Sequence, residues 1–474
     1  MISITSLSLS SIPTFLLHRP STHIPKCTLT TTNTNTNPTT ETIVIGGGLA
    51  GLSAATHLHS AKIPFILLES SDDVGGRVRT DTLDGFLLDR GFQIFITSYP
   101  ECRKLLDYSS LNLKKFFSGA RIYYNNQFYT VADPFRHLIP SLTSLTNPIG
   151  SVFDKLRIFL TTVRVLSKSN DDIFRDDEVT VFEYLRSSGF SVEIIDRFFR
   201  PFFGGIFFDT ELETTSRLFE FVFRCLALGD NTLPEKGIGE IPRQLADKLP
   251  GNSVRLNTKV VSVEENGGGA VVVRLENGEE LVSEAGVILA VEEPEVKRLL
   301  ARVLTENVEK DNKPCRSTVC LYFSTDRDKV PTVDPILYLN GSGRGIVNNM
   351  FFATNVAKSY GSLNKALVSV TLIGLYDDVS DQELISRVLQ ELSSWFGESV
   401  VREWKYLRTY RIRFAQPNQS PPTNLMKSPR VGSRLYLCGD YQTSATFDGA
   451  LASGRRVVEA LLEDKALNRF SVKA

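Results

Sequence analysis

A glycine-rich turn between an apolar run and a helical pattern constrains this chain more than any other feature. The turn lies in TIVIGGGLAGLSAATHLHSAKIPFILLE, and its glycines fit the spacing G-x-G-x-x-G at Gly46, Gly48 and Gly51. In a β-α-β unit the first glycine makes the tight turn, the second lets the backbone approach a pyrophosphate, and the third lets the helix pack on its strand. The sequence therefore predicts a dinucleotide site at this helix N-terminus, with Leu49 and Ala50 among its contacts.

A second apolar run, 65–68, ends in Glu69, where an acidic side chain would accept hydrogen bonds from a ribose. The alternative is a glycine-rich loop in an ordinary α/β protein. Strand, glycines, helix, second strand and acid occur here in the order that a dinucleotide site needs, which favours binding.

The next segment, SSDDVGGRVRT, is more than a plain NAD-binding domain needs. Its Gly75, Gly76 and Arg77 resemble the flavin-containing amine oxidase superfamily, which includes protoporphyrinogen oxidases and phytoene desaturases. The resemblance implies that this segment lies against FAD, with the arginine near the diphosphate. A guanidinium can pair with phosphate in a bidentate way. The alternative is a solvated turn.

Further segments extend the resemblance along the chain. Gly91 follows Asp89 and Arg90 in an Asp-x-Gly element, although a strand-end turn explains it equally well. The resemblance implies that the backbone near Val260 contacts the adenine end of FAD. In LYLCGDYQTSATFDGALASG it implies that Gly439 and Asp440 approach the ribityl-phosphate portion and that the helix at Gly449 approaches the flavin.

We expect the FAD to be bound without a covalent link. Covalent members of the superfamily attach flavin through a cysteine shortly before the C-terminal motif, and residues 406–434 contain none. The six cysteines are scattered without C-x-x-C, so we also expect no metal. A formal net charge of -1 gives no overall electrostatic reason to expect nucleic acid or an anionic membrane as a partner, although it does not exclude local charged patches.

The expected fold class is α/β, with a discontinuous Rossmann-like FAD-binding domain and an inserted α+β substrate domain. The segments expected to form the FAD-binding domain are 41–99, 230–299 and 426–465, those of the substrate-binding domain are 100–229 and 300–425, and a tail covers 466–474.

Residues 1–40 contain no Asp or Glu and are rich in Ser, Thr and Asn, which is typical of a plastid transit peptide. A disordered cytosolic tail is the alternative.

The middle of the chain has a helical pattern and a dense aromatic segment. Apolar residues repeat at helix spacing over 152–166, and FFRPFFGGIFFD follows at 198–209. These aromatics either pack in a core or line a cavity for a large apolar substrate. On the second interpretation we expect Phe203, Phe207 and Phe447 in the cavity wall.

Strands are predicted at 318–323, 366–375 and 406–414. Amine oxidases usually carry a lysine near the flavin on the first of these strands, where this chain has Val319 or Cys320, so amine chemistry is in doubt. Alternation places Arg411 and Arg413 on one face of the last strand, where they meet either a substrate carboxylate or a salt-bridged surface.

The sequence therefore favours an FAD-dependent oxidoreductase of a large apolar plastid metabolite, carotenoid-like, porphyrinogen-like or quinone-like. Flavin would be reoxidised by oxygen or a quinone, and membrane contact would be peripheral. The alternatives are an amine oxidase and a non-catalytic binder of the Rab escort or GDP-dissociation-inhibitor type.

Overall fold

The computed structural model describes residues 41–132, 147–266, 269–301 and 313–471, with side chains described to residue 466. The expected transit peptide, 1–40, lies outside these residues.

The strands, in chain order, are β1 (Thr42–Ile45), β2 (Phe65–Leu68), β3 (Thr80–Leu83), β4 (Phe86–Asp89), β5 (Phe95–Ile96), β6 (Lys114–Lys115), β7 (Gly119–Tyr124), β8 (Gln127–Ala132), β9 (Asn231–Leu233), β10 (Val254–Arg255), β11 (Val260–Glu265), β12 (Val271–Leu275), β13 (Glu280–Ser283), β14 (Val287–Leu289), β15 (Arg316–Asp326), β16 (Leu337–Asn340), β17 (Val347–Phe352), β18 (Lys365–Ile373), β19 (Lys405–Gln416) and β20 (Leu435–Leu437).

The α-helices are α1 (Leu49–Ser60), α2 (Pro100–Leu105), α3 (Tyr108–Leu111), α4 (Val152–Ser167), α5 (Asn170–Arg175), α6 (Val181–Ser187), α7 (Val192–Ile194), α8 (Arg200–Phe207), α9 (Ser216–Leu228), α10 (Glu240–Ala246), α11 (Glu293–Leu299), α12 (Ala353–Val356), α13 (Asp381–Phe396), α14 (Glu398–Val401) and α15 (Phe447–Ser471). A π-helical turn, Ile195–Phe199, joins α7 to α8, and short 3-10 turns lie at Arg327–Lys329, Lys358–Tyr360 and Asp440–Gln442.

A five-stranded parallel sheet carries the glycine-rich turn. Its order is β10-β2-β1-β14-β20, and its strands other than the edge strand β10 are short, mainly apolar runs that are buried, as is usual for parallel strands. Every one of these strands comes from the segments that the sequence assigns to the FAD-binding domain. The predicted Rossmann-like α/β class is confirmed.

A second sheet is mixed and has seven strands, in the order β19-β15-β18-β17-β16-β7-β8. Its strands come from the segments assigned to the substrate domain, and α13 packs its apolar stripe on one face. The predicted strands within β15, β18 and β19 are confirmed. Ser380 caps α13, because its side chain accepts a hydrogen bond from the Glu383 backbone N–H.

Two details of the chain path differ from expectation. The apolar pattern of the sequence predicts a strand over 254–263, but the chain divides there into β10, in the parallel sheet, and β11, in an antiparallel meander with β12 and β13, because Asn257 turns the chain at a φ of +52°. Helix α15 continues to Ser471, beyond the start of the expected tail at 466. Asn277 followed by Gly278 is a hairpin signal in the sequence, and the structure has this hairpin between β12 and β13.

Candidate active site

The glycine-rich turn closes the end of β1 and begins α1. Gly46 has a φ of +106°, and a Cβ there would lie 2.7 Å from the Ala290 carbonyl oxygen. A Cβ on Gly51 would lie 1.9 Å from the Gly46 carbonyl oxygen, so this glycine lets helix and turn touch. A Cβ on Gly48 would meet no atom within 4 Å, because this residue faces an open cavity. The three glycines therefore have different roles, and only Gly46 and Gly48 belong to the cavity wall.

The N-terminus of α1 opens into this cavity. Among the described residues no side chain caps the helix, and its first turn carries no acidic group. Leu49 and Ala50 lie in the wall beside it. The partial positive charge of a helix N-terminus favours an anion such as a diphosphate at this position.

Glu69 lies at the end of β2, on the wall of the same cavity. One carboxylate oxygen accepts a hydrogen bond from the Gly47 N–H at 2.7 Å, and the other accepts from the Ser71 N–H at 2.8 Å and the Ser71 hydroxyl at 2.7 Å. These bonds fix the carboxylate where the expected ribose contact would be.

Gly75 and Gly76 pass directly over the glycine-rich turn. The Gly75 N–H donates to the Gly47 carbonyl at 2.8 Å. Both residues have positive φ, +113° and +58°, which only glycine adopts without strain. This close passage brings Arg77 to the cavity.

An ion pair joins the first motif to the last. The Arg77 guanidinium donates to the Asp440 carboxylate at 2.9 Å and to the Ala415 carbonyl at 2.9 Å. Burial opposes the charge of Arg77, but Asp440 overcomes this effect and raises the pKa of the arginine above its ordinary value. The arginine expected beside a diphosphate is therefore held in position by Asp440.

An unpaired oxygen of Asp440 indicates whether a cofactor fits between these motifs. The second carboxylate oxygen of Asp440 is buried and has no hydrogen-bond partner among the described residues. A buried carboxylate oxygen without a donor is costly. A hydroxyl-bearing ligand beside Gly439 and Asp440 would supply the donor, so the residues fit a dinucleotide.

The remaining predicted cofactor residues divide between the wall and the packing behind it. Gly91 and Val260 line the cavity, and Gly91 has a φ of +100°. Gly449 does not line it, because its Cα faces the chain that precedes α15, and a Cβ would lie 2.0 Å from the Ser444 carbonyl oxygen. Its role is close packing, as for Gly51.

The cavity has a volume of ≈ 540 Å³ and continues from the glycine motifs to an apolar end between the two sheets. That end is lined mainly by Phe92, Ile94, Phe116, Phe117, Phe202, Ile206, Phe208, Leu337, Leu339 and Phe447. Aromatic and aliphatic walls of this kind bind apolar ligands.

The expectation for Phe203 and Phe207 is corrected. Both are buried in the core behind the cavity, where the Phe203 ring lies 4.6 Å from that of Phe219. Phe202 and Ile206, one residue earlier on α8 and therefore on an adjacent face of the helix, line the cavity instead. The expected wall position of Phe447 is observed.

Strand β15 meets the cavity at Thr318. Val319 and Cys320 are buried in the two cores on either side of the sheet and do not reach the wall. Among the described wall residues the only lysine is Lys259, which lies beside Val260. Arg411 and Arg413 pair with Asp381 and Asp377, so these arginines form the salt-bridged surface.

Sequence reasoning missed several polar residues at the site. Gln93 donates to the Arg77 carbonyl at 2.8 Å, while its own carbonyl oxygen and the Asn349 amide nitrogen are buried without partners among the described residues. Both residues line the cavity. Single amides in no motif carry no pattern that could have identified them.

Two parallel-sheet motifs, a cavity between them and an inserted sheet define a dinucleotide-binding oxidoreductase of the flavoprotein class. The sequence matches the family described as flavin containing amine oxidoreductase over residues 49–462. The chain belongs to this family, which confirms the resemblance, and it is a flavin-dependent oxidoreductase.

Several individual proteins are similar to this chain in sequence or in structure. The 15-cis-phytoene desaturase of Narcissus pseudonarcissus is 24% identical over 92% of this chain and 81% of its own length. Polyamine oxidase 3 of Oryza sativa subsp. japonica is 26% identical, over 53% of this chain and 51% of its own. The structure of an oxidoreductase from Methanosarcina mazei superposes with a TM-score of 0.70 and 18% identity, covering 88% of this chain and 100% of that one.

Neither a metal site nor a membrane-spanning helix is present among the described residues. They contain no group of three His, Cys, Asp or Glu side chains placed to hold a metal ion. None of their helices combines the length and apolar character needed to cross a membrane.

Proposed function

We propose that the protein binds FAD without a covalent link and oxidises a large apolar plastid metabolite. The observation that carries the proposal is the continuous cavity, which begins at the diphosphate-type turn of Gly48 and ends between aromatic and aliphatic side chains. The lining of its two ends suits a dinucleotide at the glycine motifs and an apolar substrate among the aromatic side chains.

The chain's own residues would then do three things. The α1 N-terminus and the backbone at Gly75 and Gly76 would bind the diphosphate. Glu69 and Asp440 would accept hydrogen bonds from sugar hydroxyls. The apolar end orients the substrate and excludes water. Bound FAD supplies the redox chemistry by accepting a hydride or electrons, and oxygen or a quinone would reoxidise it.

Non-covalent binding is supported by the cysteines. Cys438, which lies next to the C-terminal motif, is fully buried, and burial raises the pKa of its thiol well above the ordinary value. It does not line the cavity. An inert thiol outside the site is a poor attachment point.

Among the apolar candidates, a carotenoid-like polyene is favoured over a porphyrinogen or a quinone, because the similarity to phytoene desaturases extends over most of the chain. Those relatives are described as chloroplastic, which supports the plastid location that the leader predicts. A fusion of residues 1–40 to a fluorescent protein should enter plastids, and cytosolic fluorescence would contradict this.

The test is anaerobic reduction of the purified flavoprotein. Linear polyenes, porphyrinogens, quinols, benzylamine and spermidine are mixed separately with oxidised protein, and bleaching of the flavin absorbance is followed. We expect a lipophile to bleach the flavin fastest. Fast bleaching by an amine, with none by a lipophile, would replace the proposal with amine oxidation.

A further inference from the structure

Helix α4 presents its apolar face outward. Asp154, Thr161, Thr162 and Val165 are the side chains that it buries. Seven large apolar side chains on the other side are at least one-third exposed, and Phe153 reaches 71%: Val152, Phe153, Leu156, Phe159, Leu160, Val163 and Leu166. At 100° per residue these seven form one continuous stripe, the α4 apolar face.

Polar contacts hold the helix in this orientation. Ser151 and Asp154 form a capping box, and Asp154 also accepts from the Ser191 N–H at 2.9 Å and the Ser191 hydroxyl at 2.7 Å. Just beyond the C-terminal end, Lys168 bridges Glu220 of α9 and Asp176, each at 2.5 Å. The inward side is thus fixed by a buried carboxylate and an ion-pair network, so rotation of the apolar side inward would break both.

Basic side chains border the exposed stripe. Lys155 lies along one edge. Arg157 and Arg164 lie along the other, and they also form longer ion pairs, each at 3.8 Å, with Asp154 and Glu220. The single acidic residue of α4 is Asp154, which is fully buried. An exposed apolar stripe bordered on both edges by basic side chains is the pattern of a helix that lies in the interface of an anionic bilayer.

We propose that the α4 apolar face docks on an anionic membrane surface, with the helix parallel to the bilayer plane. The charge pattern favours this occupant over a second copy, because two α4 faces packed on each other would bring the basic edges together. The proposal deepens the proposed function, since an apolar metabolite resides in membranes, but it rests on the α4 contacts and is tested without any substrate.

The experiment measures sedimentation with vesicles of phosphatidylcholine, with and without phosphatidylglycerol. The variant Phe153→Ser/Leu156→Ser/Leu160→Ser removes apolar area from the stripe, while Val333→Ser/Leu363→Ser alters two residues elsewhere that are 87% and 88% exposed. We expect the stripe variant to lose binding to anionic vesicles by about tenfold or more, the control to bind like the unaltered chain, and salt to weaken binding. Equal binding of all three proteins would overturn the proposal.

Two further readouts address the other outcomes. Phe153→Trp should show a blue-shifted emission that brominated lipids quench, because the side chain enters the acyl boundary; emission that vesicles leave unchanged would contradict docking. If sedimentation equilibrium shows a dimer that the stripe variant dissociates, and vesicles bind neither protein, the face is an interface between copies. Vesicle binding without flavin reduction by any lipophile would overturn the substrate proposal alone.

Discussion

The pairing of Arg77 with Asp440 brings a diphosphate-type arginine and a ribityl-type carboxylate to within 2.9 Å of each other. The carboxylate has one satisfied and one unsatisfied oxygen, so the ion pair leaves one acceptor for a ligand. At the scale of single residues, the protein's own contacts therefore position part of the cofactor site. Substitutions at Asp440, Gly48 and Gly51 test what each residue contributes to flavin binding and stability.

Asp440→Ala should lower flavin content. It removes a charged acceptor, a contact that contributes about 1.5–3 kcal/mol, so we expect flavin affinity to fall by roughly tenfold to a hundredfold. The ratio of flavin absorbance to protein absorbance after purification gives the result. Asp381→Ala breaks an ion pair of the more exposed Asp381 with Arg411, outside the cavity, and should leave flavin content unchanged.

Gly48→Val and Gly51→Ala should impair the protein in different ways, the first in flavin binding and the second in stability. At Gly48 the backbone is extended and the added side chain meets open space, so the chain should stay folded but lose flavin as the side chain fills the diphosphate position. At Gly51 even a methyl group collides with the Gly46 carbonyl, so stability itself should fall. Thermal unfolding without added flavin separates the two effects; a Gly48→Val chain with normal flavin content would refute the assignment.

Asp89 should make stability depend on pH. Burial raises its pKa to about 6, against the hydrogen bonds donated by Thr80, Ile238 and Tyr360. A carboxyl whose pKa is higher in the folded state stabilises it below the unfolded pKa and loses this effect as pH rises through about 6. The difference in unfolding free energy between the unaltered chain and Asp89→Asn should shrink by about 2 kcal/mol from about pH 4.5 to about pH 7.5 in urea titrations. A constant difference would contradict the assignment.

At the scale of elements, α1 and α15 are joined by backbone contact. A Cβ on Gly454 would lie 2.4 Å from the Ala50 carbonyl oxygen, and Ser53 donates to the Leu451 carbonyl at 2.7 Å. The two helices that carry the first and last cofactor motifs are thus held at a fixed spacing.

Gly454→Val should push these helices apart. We expect unfolding free energy to fall by about 1–3 kcal/mol, the usual cost of overpacking, together with a loss of flavin, because the two motifs separate. Gly251→Val is the matched control, since its added side chain meets no atom within 4 Å. Equal melting temperatures for both variants would show that the contact is not needed.

The sequence predicted which segments form helices and strands better than it predicted which face of each one is buried. The glycine motifs identify the parallel sheet because Gly46 and Gly51 are required by close backbone contacts and Gly48 by an open approach to the cavity. The apolar period of 152–166 identifies α4 but does not say that its apolar face points outward, since periodicity defines a face and not what covers it. Likewise Phe202 and Phe203 are adjacent and identical in type, so the sequence does not say which of them reaches the cavity.

At the scale of the whole molecule, the cavity is bounded by three separate stretches of the parallel sheet and by the inserted sheet. Since we propose that noncovalent contacts alone hold the flavin there, denaturation in acid should release all of it into the supernatant. Absorbance of the supernatant and the washed precipitate measures this. Flavin retained on the precipitated chain would refute noncovalent attachment.

The edge strand β20 of the parallel sheet is translated after the other four strands. β20 pairs with β14 and leads directly into Asp440, so a ribosome must complete almost the whole chain before the cofactor site can exist. Until then β14 presents an unpaired edge, a common starting point for aggregation. Flavin loading is therefore expected to follow translation, and chains arrested before residue 435 should neither acquire flavin nor stay soluble without chaperones, as a release assay on stalled ribosomes would show.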